Sequence, residues 1–246
     1  MVNIFEIPVY YIGFKKNLKL EENLKDVGFS RIHHFNSIDG QTLDKEELLR
    51  NGIISNRAYR DLVYGREQSD ALSSLGTIGC TLSHSNLWKL CAENLPHIVI
   101  VEEDLYLPKL TDVDIKNIKN SLSKPNGAFI SADVKKHQKK LWGLHFYILT
   151  NEAAKKLYNK AFPIEMQTDI YMGHLNNIGD IQLDGYHIGD ARSTPFTTTT
   201  GKLCIKCILP NGLMFYICII IILIILIIGI IYTKVELDSC RSSEGR

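Results

Sequence analysis

Three consecutive acids, Glu102, Glu103 and Asp104, are the residues of this chain best placed to do chemistry. Carboxylates crowded together repel one another unless a cation or solvent offsets their charge, and hard divalent ions take oxygen ligands of this kind. Glu102 and Asp104 stand at alternate positions, the acid-x-acid spacing that puts two oxygens near one ion. Such a donor set suits Mn2+ and Mg2+ alike. A second feature is basic. Lys15, Lys16 and Lys19 follow a β-like run, and lysines in such a turn either neutralise phosphate as point charges or form a solvated helix start. Ser83-His84 precedes the acids, but no third partner stands near it in sequence to complete a hydrolase triad.

A strand must hold the acids, and His97 to Val101 reads as one: β-branched and without alternation, hence buried on both faces. In open α/β sheets ligands gather outside the carboxyl ends of such strands. Upstream, Cys80, Leu87, Trp88 and Cys91 fall on one helical stripe, ended by Pro96. His84 shares that stripe, and Cys80 and Cys91 read as core residues. Ile7 to Ile12 predicts a first strand closed by Gly13, and Leu20, Leu24 and Val27 a helix stopped by Gly28. Arg31 to Asp39 predicts a second strand ending in an Asp39-Gly40 turn. Asp44-x-x-Glu47 resembles a capping box for a short helix through Leu49. From Ser55 to Ser74 the pattern weakens into a loop-rich insertion whose Tyr59, Tyr64 and Arg66 could serve an acceptor. Asp112 to Leu122 predicts a helix, Gly127 to Ala132 and Leu141 to Thr150 strands, and Glu152 to Ala161 an amphipathic helix. Asp169 is placed to cap a further helix through Leu175. Asp180, Asp184, His187 and Asp190 then lie in a Gly-containing segment in which His187 alternates as in a polar strand.

The order Gly-x-Ile-Gly-Cys-x-Leu-Ser-His from Gly76 to His84, then Trp88, then an apolar strand ending in an acidic triplet, resembles glycosyltransferase family 25. That family includes lipopolysaccharide sugar transferases and collagen galactosyltransferase domains. The similarity extends from about Pro8 to Thr194, including an acid-Gly pair after the second strand and a Gly-x-x-x-Tyr-Ile-Leu-Thr strand before an Ala-rich helix. It implies an α/β fold with a GT-A-like nucleotide-sugar-binding sheet flanked by helices. It also implies metal-dependent inverting transfer of a hexose from a nucleotide-sugar donor, a UDP-hexose, to a hydroxyl of a glycan, lipid-linked or protein acceptor. On this resemblance Glu102 and Asp104 ligate Mn2+ or Mg2+, and Lys15, Asp39, His84 and Glu103 contact the donor. Asp169, which opens Asp-Ile-Tyr-Met, is the catalytic base, with Glu165 after Pro163-Ile164 as runner-up. Two departures stand out. Glu103 replaces the middle Asp of the family's Glu-Asp-Asp, and Ile12-Gly13-Phe14-Lys15-Lys16 replaces Asn-Leu-x-Arg-Arg. They keep open an alternative: a catalytically inactive, membrane-anchored interaction or structural protein on the same fold.

The 246 residues carry a formal net charge of +1, which leaves room for one sizeable domain plus an appendage and does not point to nucleic acid. Leu213 to Tyr232 has no charged residue; as a helix it would cross roughly 30 Å, the thickness of a bilayer core. The N-terminus makes a poor secretory signal. The expected organisation is a transferase-like domain over 1–196, a linker over 197–212, a transmembrane helix over 213–232 and a short polar tail over 233–246. That reads as a C-terminal, tail-anchored single pass with the domain facing the cytosol. Six cysteines do not make a disulfide framework in a chain this long. Cys204-x-x-Cys207 is half of a zinc or redox motif, a juxtamembrane acylation site, or two idle thiols.

Overall fold

The computed structural model describes residues 2–65, 72, 74–132, 141 and 143–188. Within them, β1 (Val9–Gly13), β2 (Ile32–Asn36), β3 (His97–Glu102), β4 (Gly127–Ile130), β5 (Phe146–Thr150) and β6 (Gln182–Gly185) form one sheet. Their order is β2-β1-β3-β5-β4-β6. β1 runs parallel to both β2 and β3, β5 is antiparallel to β3 and β4, and β6 is parallel to β4. The start of β5 therefore lies on the same edge as the ends of β1, β2 and β3.

Helices cover both faces, which is why the central strands show no polar alternation. Ile98 and Ile100 of β3 pack on one side with Leu87, Trp88 and Cys91 of α4 (Leu75–Asn94), together with Leu157 of α6 (Asn151–Asn159). Val99 and Val101 pack on the other, with Leu20 and Leu24 of α1 (Leu18–Val27) and Ile118 of α5 (Asp112–Leu122). All four β3 side chains are fully buried, and each contributes about 1.5–3 kcal/mol of transfer free energy. Two short helices, α2 (Lys45–Arg50) and α3 (Asn56–Tyr64), enclose a third, smaller cluster around Ile54, Ala58, Ile78 and Ile164. α7 (Thr168–Asn177) closes the first cluster with Met172 and Leu175.

Several expectations shift. The loop-rich reading of 55–74 is overturned in part, because Asn56–Tyr64 is helical. Ser55 caps it by accepting from the Ala58 amide at 3.1 Å, and Ala58 is buried. The charges of Arg57, Arg60 and Asp61 masked the Ala58/Leu62 spacing in sequence. Tyr59 donates to Glu46 Oε1 at 3.3 Å, tying α3 to α2, and Tyr64 is exposed; Arg66 lies outside the described residues. The strand expected over 141–150 starts only at Phe146, since Gly143 adopts a φ of +82° that extended backbone does not allow. His187 follows β6 and is not part of it. Among the described residues no helix is long and apolar enough to cross a membrane. The expected span 213–232, its linker, Asp190 and Cys204-x-x-Cys207 lie outside those residues.

Candidate functional site

The acidic triplet splits because strand side chains alternate. Glu102 continues the Ile98–Ile100 side and so faces α4, while Glu103 turns toward β1. Asp104 follows in the turn closed by the Leu105 amide on the Glu102 carbonyl, 3.1 Å. Opposite Glu102 stands His145, whose carbonyl accepts from the Glu102 amide at 3.1 Å. Its ring reaches both acids: Nδ1 lies 2.8 Å from Glu102 Oε2 and 3.4 Å from Asp104 Oδ1. Neither approach has hydrogen-bond geometry, so His145 Nδ1 and Asp104 Oδ1 are buried without a hydrogen-bond partner. One ligand atom from each of Glu102, Asp104 and His145 falls within 4.8 Å of the others, which suits a single divalent ion. The carboxylates of Asp104 and then Glu102 push the His145 imidazole up to about 10 against its burial. Burial favours the neutral form of Glu102, but His145 and His84 outweigh it and hold the carboxyl down to about 2.

His84 approaches Glu102 from α4. Its Nε2 is 3.5 Å from Glu102 Oε1 and has no hydrogen-bond partner, although the side chain is wholly buried. Nδ1 shares a 2.7 Å hydrogen bond with the Tyr147 hydroxyl, which also accepts from Trp88 Nε1 at 3.0 Å. Burial lowers the His84 pKa, but Tyr147, Cys80 and Glu102 together carry it well above the ordinary value. The expectation that Cys80 is a core residue is wrong. Cys91 is buried, but Cys80 is exposed, one helical turn before His84. The stripe runs through the core only where the sheet covers it.

The other flank of β3 is more open. Glu103 lies against Gly13, where a Cβ would come 2.4 Å from Glu103 Oε2. Burial raises its pKa. Asn17 caps α1 through its side-chain oxygen and donates to the Glu103 carbonyl at 3.0 Å, so the β1–α1 turn clamps the acids from this side. Lys15 is exposed in that turn, and Lys16 pairs with Glu21 at 3.6 Å. Asp39 sits beyond β2 on the same edge, where its carboxylate accepts from the Gln41 amide at 2.9 Å and starts a 3-10 turn. A Cβ on Gly40 would lie 2.3 Å from the Leu75 carbonyl oxygen, and one on Gly79 would lie 2.4 Å from that of Ile38. Ser83 completes the contact by accepting from the Ile38 amide at 2.9 Å. The glycines and Ser83 of the sequence signature thus pack α4 onto the loop after β2.

Asp169, at the second position of α7, faces the same region. Its Oδ2 accepts from the Gly143 amide at 3.2 Å and its Oδ1 from the Ile170 amide at 2.8 Å. Burial raises its pKa, and the charge of Glu102 adds to the rise. It does not cap the helix, whose N-cap is Gln167. Glu165, the runner-up, is exposed. Lys160 pairs with Asp180 and Lys124 with Asp184, which accounts for those two acids. Sequence reasoning missed His145 and Tyr147. Both lie in a run that reads only as a strand, and their part in the site follows from β5 being antiparallel to β3.

Residues 16–129 match the family model described as Glycosyltransferase family 25 (LPS biosynthesis protein). The matched stretch is narrower than the similarity from Pro8 to Thr194. It contains Asp39, His84 and the acidic triplet, but Lys15 falls just before it and His145 and Asp169 beyond it. A "Glycosyltransferase 25 family member" of Drosophila melanogaster is 32% identical over 106 residues, covering 43% of this chain and 15% of the fly protein. One of Anopheles gambiae is 29% identical over 75 residues, covering 30% of this chain and 12% of the mosquito protein. The chain therefore matches only a small part of these relatives. The apo crystal structure of mouse xyloside xylosyltransferase 1 superposes with a TM-score of 0.38 and 8% identity, covering 75% of this chain and 73% of that one. That similarity is too low to carry a fold assignment.

Proposed function

We propose that this chain is a metal-dependent, inverting glycosyltransferase with a GT-A-like sheet, moving a hexose from a UDP-hexose to an acceptor hydroxyl. The observation that carries the reading is the convergence of Glu102, Asp104 and His145 at the carboxyl edge of the sheet, with one ligand atom of each within 4.8 Å of the others. The two carboxylates suit Mn2+ or Mg2+, and His145, whose carbonyl accepts from the Glu102 amide, would add an imidazole beside them. Bound there, the cation would offset the negative charge that builds on the leaving diphosphate. Asp169 is the base. The acceptor oxygen bonds to the anomeric carbon as the bond from that carbon to the diphosphate breaks, and the hydroxyl proton passes to Asp169. The Gly143 and Ile170 amides orient its carboxylate, and its raised pKa strengthens it as a proton acceptor. Lys15, Glu103 and Asp39 line the β1–β2 flank, where a donor's phosphates and nucleoside would lie, and His84 steadies Glu102 from α4.

The test measures UDP release from a panel of nucleotide sugars with Mn2+, comparing the detergent-extracted chain with Asp104→Ala. Release by the first and a large loss in the second support the reading. Equal release from both removes Asp104 from the mechanism, and no Mn2+-dependent donor binding at all favours the inactive interaction protein. We propose further that 213–232 spans a membrane and that 197–212 tethers the 1–196 domain to it. Extraction of the full chain should then need detergent, while a chain ending before Leu213 should not.

A further inference from the structure

The group formed by Cys80, His84 and Glu102 differs in chemistry from the cation centre beside it. Cys80 and His84 stand four residues apart on α4, so their side chains share one face of the helix. Their ligand atoms and a Glu102 oxygen lie within 4.8 Å of one another. His84 is wholly buried, and its Nε2, directed at Glu102, has no hydrogen-bond partner. Its other nitrogen is engaged by the Tyr147 hydroxyl, which Trp88 holds in turn. That is the outer support that orients a metal-binding imidazole and leaves one nitrogen free for the ion. Cys80 is exposed, so an ion can reach the group from solvent. Glu102 presents Oε1 to His84 and Oε2 to His145, one oxygen to each group.

We propose that Cys80, His84 and Glu102 form a second cation site, selective for a thiophilic divalent ion such as Zn2+. Thiolate, imidazole and carboxylate make a softer donor set than Glu102, Asp104 and His145, and three protein ligands leave one position open to solvent. Binding releases the Cys80 thiol proton to water and forms a sulfur–metal bond, with no change of oxidation state. The site rests on α4 and β3 alone, so it does not depend on the transferase reading.

Co2+ is the probe, because a thiolate ligand gives it a near-ultraviolet charge-transfer band. The full chain is titrated in detergent with Cys204→Ser and Cys207→Ser in place, which removes the closely spaced thiol pair outside the site. A saturable band is expected, displaced by Zn2+ but not by Mg2+. Cys80→Ser, a change at an exposed position, should abolish it and weaken Zn2+ binding by about tenfold or more. Asp104→Asn should keep the band, separating this site from the neighbouring centre. No band in the parent chain, or a band that survives Cys80→Ser, overturns the proposal. Neither readout uses donor or acceptor, so failure here and failure of the transferase assay are distinguishable.

Discussion

The two flanks of the β3 terminus differ, although adjacent residues supply them. On the α4 side Glu102 meets two histidines, with buried polar atoms left without a hydrogen bond and ionisation equilibria far from their ordinary values. On the β1 side Glu103 meets a glycine and the exposed turn that carries Lys15, with its carbonyl held by Asn17. Charge and position in the chain are nearly the same. What differs is the face of the sheet, and under the proposed function one flank would hold an ion and the other would contact a ligand from the edge. The longer arm of Glu103 lies against Gly13.

The largest expected effect lies on the α4 flank. Glu102→Gln should lower Mn2+-dependent turnover on the order of 10³-fold, because it removes the carboxylate charge that faces both His84 and His145. Asp169→Asn should lower kcat by roughly 10²–10⁴-fold with little change in donor KM, the range for a lost general base. Since burial raises the Asp169 pKa, activity should fall as pH drops through a value above the usual aspartate range. A pH–kcat profile should lose that limb in Asp169→Asn. His145→Gln should weaken Mn2+ binding by about 10–100-fold in an EPR titration; unchanged binding would remove the imidazole from the centre. Next comes packing. Gly79→Ala should destabilise the domain by about 1–3 kcal/mol in urea melts, because the obstructing atom is the Ile38 backbone oxygen. Gly13→Ala on the β1 flank should cost less, because what it meets is the movable end of Glu103. The smallest effect is Glu103→Gln, which should raise donor KM by less than about fivefold with kcat unchanged, the scale of a partly exposed contact. Equal losses from Glu102→Gln and Glu103→Gln would erase the distinction between the flanks.

In the metal-free chain the Glu102 shift also predicts a stability profile. Its folded pKa of about 2 lies below the ordinary value of 4.5. The linked stabilisation is therefore present above that ordinary value and disappears as pH falls toward the folded one. Thermal melts across that acidic window should show the decline, and Glu102→Gln should flatten it.

Much of the frame was legible in the chain itself. β1, α1, α4 and β3 stand within two residues or so of their expected limits, because each carries a strong local signal: an unbroken β-branched run, or a periodic stripe ended by Gly28 or Pro96. α3 was not legible, since its buried face is small and its charges interrupt the period. The shortened β5 was missed because a positive φ at Gly143 leaves no mark in apolar pattern.

For the site, residue types and spacing alone established that acids cluster at the end of a doubly buried strand, and that Glu102 and Asp104 stand at alternate positions. Local periodicity reaches no further than an element's own length. It does not say which way a distant strand runs beside its neighbour. Only tertiary structure brought His145 to the acids, through the antiparallel β3–β5 register. It also turned Glu103 toward Gly13 and left Cys80 in solvent one turn from a buried histidine. Those placements depend on contacts between segments far apart in the chain, and such contacts exist only once the sheet has formed.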